Sequence, residues 1–180
     1  MTTLLEKTKW ALDLSHSEVG FKVKHLMITN VSGAFEKFNV EVEASDDTFT
    51  DAEIKFTADI ASITTYSEQR DAHLKGAEFF DAEKFPEMII EATGIEGEGE
   101  NRKLNANITL HGITKSVVFA VDFGGVAKDP WGNTKAGFSI NGKINRKDFG
   151  LNWNAPTEAG GVLVSEEVRL HAEIQLLKQA

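Results

Sequence analysis

Three stretches of this chain carry side chains able to do chemistry. The first, DLSHSE (Asp13–Glu18), sets an acid, two hydroxyls and a histidine side by side. A Ser–His–Asp relay depends on geometry in space, which adjacency in an extended or turning segment rarely supplies. Asp13, Ser15 and Ser17 are better placed to bond backbone groups where the chain reverses. The second, SEQRDAHLKGAEFFDAEKFPEM (Ser67–Met88), crowds an arginine, a histidine, several acids and three phenylalanines into one connection. Asp71 and His73 stand two residues apart there, so on a helix they point to different sides and form no acid–base pair. The third, INRKDFG (Ile144–Gly150), puts Arg146 and Lys147 at the end of a strand pattern, where they could meet an anion. The alternative is an Arg146–Asp148 surface pair, worth little energetically.

Metal and covalent chemistry have no local signature. No two of the five histidines (His16, His25, His73, His111 and His171) stand at i, i+4 or as His-x-His. There is no Gly-x-Ser-x-Gly elbow and no phosphate-cradling loop, since GIEGEGE (Gly94–Glu100) is an acidic turn. The absence of cysteine removes disulfides, thiolate ligands and thiol nucleophiles. No catalytic residue, metal or cofactor is therefore assigned.

The elements that position these residues are strands. Period-two alternation recurs in AEIKFTADI, with Ala52, Ile54, Phe56, Ala58 and Ile60 on one side, and in KLNANITL, with Leu104, Ala106, Ile108 and Leu110. It returns in VVFAVDF (Val117, Phe119, Val121, Phe123), AGFSINGKI (Ala136, Phe138, Ile140, Gly142, Ile144) and VRLHAEIQL (Val168, Leu170, Ala172, Ile174, Leu176). With Trp10 to Leu14, Val19 to Leu26, Phe35 to Ala44 and Met88 to Ile95, about nine strands are expected, joined by hairpin-type turns. One short helical insertion is expected near residues 67–80, capped by Ser67, with Arg70, Leu74 and Ala77 on one face. Pro86 suits the first residue of the next strand.

At 180 residues, 41% hydrophobic and 26% charged, the chain is read as one all-β antiparallel domain over residues 1–180. A closed barrel of about eight strands removes sheet edges and is near the size that either fills itself or holds one ligand. Ala58, Ala106, Gly142 and Ala172 sit mid-row among larger residues. If they align they leave apolar space at the barrel's middle; otherwise they fit the taper of a packed core. The net charge of −9 opposes nucleic acid and anionic surfaces as partners. No run approaches the roughly 20 apolar residues of a membrane helix. The opening lacks the apolar core of a secretory leader, so the expected location is cytoplasmic, or periplasmic if a leader was removed. NVS at Asn30 and NIT at Asn107 then read as accidental glycosylation matches.

Four segments in order, WALDLSHSEVGFKVKHLMITNVSGAFEKF, RDAHLKGAEFFDAEKFPEM, LNANITLHGITKSVVFAV and INRKDFGL, resemble the signatures of the YceI-like family of polyisoprenoid-binding proteins. The likeness runs from about Trp10 to Leu177. It implies a lipocalin-like barrel, often a homodimer, that encloses a long apolar tunnel. It also implies association with polyprenyl chains, polyprenyl pyrophosphates or isoprenoid quinones, and no established catalysis. Many relatives carry a periplasmic leader, whereas this sequence shows none.

The expected function is therefore binding, carriage or sequestration of an elongated apolar lipid. The expected lining is Val19, Phe21 and Val23; Ile54, Phe56, Ala58 and Ile60; Phe119 and Val121; Phe138, Ile140 and Gly142; Leu170, Ala172 and Ile174. From the connection, Leu74, Phe79, Phe80 and Phe85 are expected to pack inward as a lid. Head-group contacts are expected from Lys24, His25, Arg70, His73 and Arg146. Two alternatives stand beside this: an enzyme acting on a lipid or isoprenoid with His73 or His25 as general base, and a packed β-scaffold working through a protein interface.

Overall fold

Each alternating segment becomes a strand with one buried face. The structure, a computed structural model, describes residues 6–154 and 164–179. The strands are Thr8–Leu12 (β1), Glu18–His25 (β2), Thr29–Phe35 (β3), Phe38–Ala44 (β4), Glu53–Asp59 (β5), Ile63–Thr64 (β6), Glu87–Thr93 (β7), Asn101–Leu110 (β8), Ile113–Lys128 (β9), Thr134–Asn145 (β10) and Val164–Lys178 (β11). Among the described residues a single α-helix, Glu68–Lys75 (α1), interrupts them. In β8 the alternation is strict: Arg102, Leu104, Ala106, Ile108 and Leu110 are buried while their neighbours face outward. No helix among the described residues is long and apolar enough to cross a membrane.

Every pairing is antiparallel, and eight strands close a ring in the order β1, β4, β5, β7, β8, β9, β10, β11 and back to β1. Closure depends on β11, which pairs with β10 along one edge and forks on the other. Its last turn of register (Leu176–Lys178) meets β1, while Val168–Glu173 meet β2. The chain steps from β1 to β2 through a short 3-10 turn at Leu14–His16, so β2, β3 and β6 continue the sheet as a flap rising from β11.

Three features differ from the sequence expectation, one of them the two-residue β6, which no alternating run announced. β3 was not expected, because TNVSGAF is mostly small and polar and Phe35 reads as the start of the next strand. It forms because Phe21 lies across Gly33, where an added Cβ would come within 2.2 Å of the ring. The helix is also shorter than residues 67–80 and does not reach Ala77. Ser67 caps it by accepting from the Arg70 N–H, as expected, but Gly76 leaves helical geometry (ψ 172°) and the chain turns through Phe79–Lys84.

One end of the barrel is plugged by aromatics. Phe49, carried in from the β4–β5 connection at φ 61°, is fully buried between Trp10 (5.0 Å between ring centres), Phe138 (5.1 Å) and Phe123 (5.6 Å). The guanidinium of Arg102 sits 4.5 Å from the Phe123 ring and donates to the carbonyls of Gly99 and Thr48. These bonds let a buried cation terminate an apolar core without a carboxylate partner.

Candidate functional site: a barrel cavity with a polar mouth

Above the plug the interior is hollow. A cavity of about 110 Å³ with an apolar surface lies against Phe49 and Phe138 and is walled by Val19, Ile54, Phe56, Phe119, Val121, Ile140, Ala172 and Ile174, with His171 also in its lining. A second cavity, about 490 Å³, continues toward the other end, and Phe35, Met88 and Leu170 form the waist lining both. Voids this large exceed what a few trapped waters occupy, in contrast to a packed scaffold. The larger cavity is apolar on its β2 and β10 walls (Phe21, Val23, Ile144) and polar at its mouth, where exposed Lys24, Gln69 and Arg70 border it with Ser67 and His25.

Of the expected lining, Leu74, Phe79 and Phe80 border the larger cavity, and the rows of β2, β9 and β11 lie where the alternation put them. Four positions are corrected. Gly142 does not line the space, because the Phe119 ring covers it, and an added Cβ would lie 2.4 Å from that ring. Ala58 and Ile60 are buried but line neither cavity, even though Ala58 stands opposite Met88, which borders both. Phe85 does not point inward; it covers the β8–β9 turn, stacked edge-on against His111 at 4.8 Å and over Gly112. The expected ring of small residues is likewise not what opens the space. Among Ala58, Ala106, Gly142 and Ala172 only Ala172 borders it.

Residues that the alternation alone undervalued include Val40, Val42, Met88, Ile90 and Leu104, all on inward rows. Phe49 and Trp153 had no periodic signal, because loops carry them in.

The polar groups at the mouth hold one another. Thr65, buried, donates its N–H (2.8 Å) and hydroxyl (2.5 Å) to Asp71, while its own hydroxyl and carbonyl accept from Arg70 (2.7 and 2.5 Å). This bolts α1 to β6. His73 Nε2 meets Glu78 Oε2 at 2.6 Å, and its ring stands edge-on to Phe79 and Trp153. The His25 side chain borders the cavity and hydrogen-bonds no other described residue.

Arg146 corrects both sequence readings, since it is neither a surface pair with Asp148 nor a free cation. It is 3% exposed and donates to four backbone carbonyls, those of Ser165 (2.9 Å), Leu151 (2.6 Å), Trp153 (2.8 Å) and Val164 (3.3 Å). Burial pulls its pKa below the ordinary arginine value, opposed by the Glu166 charge. Its role is to stitch the 3-10 turn Arg146–Phe149, the following loop and the start of β11 into one wall of the larger cavity.

The DLSHSE stretch is turn chemistry. Asp13 accepts from Lys135 (2.8 Å), Gln175 (3.2 Å) and Ser15 (2.9 Å), and Ser17 Oγ bridges the Asp13 carbonyl and the Gln175 N–H. Asp13 and Ser15 both meet His16 at Nδ1 (2.9 and 3.1 Å). A relay needs acid and nucleophile on opposite ring nitrogens, so none is wired here. Nor do the described residues bring three or more His, Asp or Glu side chains together as a metal would require.

A closed eight-stranded antiparallel barrel with a hollow apolar interior and a helix at its mouth defines a lipocalin-like fold. The chain belongs to the YceI-like family, whose YceI-like domain model matches residues 10–176. A UPF0312 protein of Staphylococcus aureus strain N315 is 36% identical over 169 residues, covering 93% of this chain and 96% of that protein. The crystal structure of the Campylobacter jejuni YceI protein is 32% identical, with complete coverage of both chains and a TM-score of 0.75. A polyisoprenoid-binding domain from Saccharophagus degradans shares the fold at 13% identity, with a TM-score of 0.67 over 94% of this chain and 98% of that one.

Proposed function

We propose that this protein binds and carries one elongated apolar molecule of isoprenoid type, its tail threaded past the waist toward the Phe49 plug and its head at the Lys24–Arg70 mouth. The observation that carries this is an inner cavity with an apolar surface that shares the walls Phe35, Met88 and Leu170 with a larger cavity, whose exposed polar residues gather at its mouth. Apolar burial is worth about 0.8 kcal/mol per CH₂, so a long chain needs few polar contacts to bind tightly. Membership of the family and the fold shared with a polyisoprenoid-binding domain support the same ligand class.

The test uses Trp153, which lines the larger cavity, whereas Trp131 is 83% exposed and Trp10 lies in the plug. Titration with a polyprenyl alcohol bearing a fluorescence-quenching polyene should quench Trp153, and Trp153→Phe should remove that signal while Trp131→Phe leaves it. Ala172→Phe, which fills the inner cavity, should weaken a long probe more than about tenfold while sparing a short one. Equal affinity of wild type and Ala172→Phe for the long probe would place the tail elsewhere.

One observation favours a second reading. His73 borders the larger cavity and its Nε2 meets the exposed carboxylate of Glu78 outside the lining, an acid–base pair at the cavity edge from which proton transfer to a bound lipid would start. Recovery of a chemically altered probe after incubation with wild type, lost in His73→Gln, would favour it; recovery of unchanged probe from both would reject it.

A further inference from the structure

The β2–β3 hairpin ends in three consecutive apolar residues that nothing in the barrel uses. Leu26, Met27 and Ile28 are 40%, 51% and 78% exposed. The turn is closed by the Ile28 N–H on the His25 carbonyl, and its two central residues sit at φ 53° (Leu26) and 61° (Met27). That left-handed geometry suits Asn-Gly and costs a larger side chain about 1 kcal/mol or more per residue. Folding and solubility would both favour a polar, glycine-containing turn, so neither accounts for the residues found.

Their position is informative. Lys24 and His25, immediately before the tip, and Val31, shortly after it, border the larger cavity. On the β6–α1 connection, Tyr66 is 81% exposed, also at positive φ (64°), and lies between Thr65 and Ser67, which border the same cavity. Lys24 and Arg70, exposed at this rim, and Lys22, two residues earlier on the outer face of β2, make no ion pair with a described carboxylate, while Arg70 spends two of its donors on Thr65. The exposed acids nearby are Glu68 on α1 and, in the β11 bulge beside Lys24, Glu166 and Glu167, which pair with Lys147 and Lys143. A chain of net charge −9 thus keeps three cations outside its described ion pairs beside an apolar tip at its cavity mouth.

We propose that this hairpin is a membrane-entering prong: Leu26, Met27 and Ile28 insert into the interfacial layer of a bilayer containing anionic lipid, with Tyr66 at head-group depth and Lys22, Lys24 and Arg70 on lipid phosphates. Apolar side chains supply the insertion, and each basic residue near an anionic surface adds attraction that salt weakens. Docking in this pose sets the mouth against the bilayer, so a water-insoluble cargo passes between membrane and barrel without crossing solvent. The proposal rests on the carrier reading, and the experiment separates the two.

Vesicles of phosphatidylcholine with phosphatidylglycerol, and of phosphatidylcholine alone, are sedimented with wild type, Ile28→Asp and the double variant Leu26→Asn/Met27→Gly. Probe binding in detergent-free solution and size-exclusion elution are measured on the same samples. Expected are binding to the mixed vesicles that falls with added salt, and a drop of more than about tenfold in both variants. Their probe affinity should be unchanged, and the double variant should have a raised melting temperature because its turn is no longer strained. The prong is overturned if wild type binds neither vesicle, or if both variants bind as wild type does. It is also overturned if the wild type is a dimer that both variants split while vesicle binding stays level, since the tip is then a contact between copies. Probe binding without vesicle binding leaves the carrier and removes the prong; vesicle binding lost in the variants, with no probe binding by wild type, keeps the prong and removes the carrier.

Discussion

At the scale of the residue, the informative groups are polar ones whose partners were invisible in one dimension. Arg146 is the clearest. Its charge type and place at a strand end read as an anion contact, yet its donors are spent on four carbonyls of a wall that the fold brings together. Removing them by Arg146→Met leaves those carbonyls unpaired in a buried site, and urea denaturation should show a loss of at least about 2 kcal/mol. Asp13 makes a pH prediction. The hydrogen bond from Lys135, the largest cause, with those from Ser15 and His16, holds its pKa well below the ordinary carboxylate value. A depressed folded-state pKa means the stabilisation is complete above the unfolded value of about 4 and is lost as pH falls through the folded one. Asp13→Asn should therefore lower stability at neutral pH and flatten its decline below about pH 4, as measured by melting temperature across that range. The acid, hydroxyls and histidine of that segment were legible as turn chemistry because those residue types bond backbone wherever the chain reverses.

At the scale of the element, alternation carried most of the information. Where a strand has one face in the barrel, as in β8, β10 and β11, the inward row was readable directly. What alternation cannot say is which inward residue meets space and which meets a neighbour. Gly142 illustrates this: next to Ile140 it reads as a gap, but the antiparallel register of β9 and β10 lays the Phe119 ring over it. Gly142→Ala should destabilise the fold by a clash between Cβ and ring, and Phe119→Leu in the same chain should recover much of that loss. A double-mutant cycle in urea measures the coupling, and additive effects would show that the two do not share that space. β3 escaped because its sequence is small and polar, and the aromatic that justifies its glycine lies on β2. The helix was legible through its Ser67 cap, but its early end at Gly76 was not, because the residues that follow remain compatible with a helix locally.

At the scale of the whole molecule, the barrel is asymmetric along its axis. One end is sealed by Phe49, Trp10, Phe123 and Phe138, with Arg102 outside them; the other opens between α1, the β2–β3 hairpin and the wall held by Arg146. Closure into eight strands followed from the number and length of the alternating segments, whereas the forking of β11 between β1 and β2 depends on long-range register that no local pattern encodes. A blind apolar interior with one polar mouth fits a single long molecule entering tail first. The direct measurement is native mass spectrometry of the protein purified from its own host without detergent, followed by organic extraction of the same sample. Expected is a mass increment of one long-chain apolar molecule per polypeptide, recovered in the extract and displaced stoichiometrically by a polyprenyl probe. Ligand-free protein that also takes up no polyprenyl or fatty-acyl probe would contradict the carrier role.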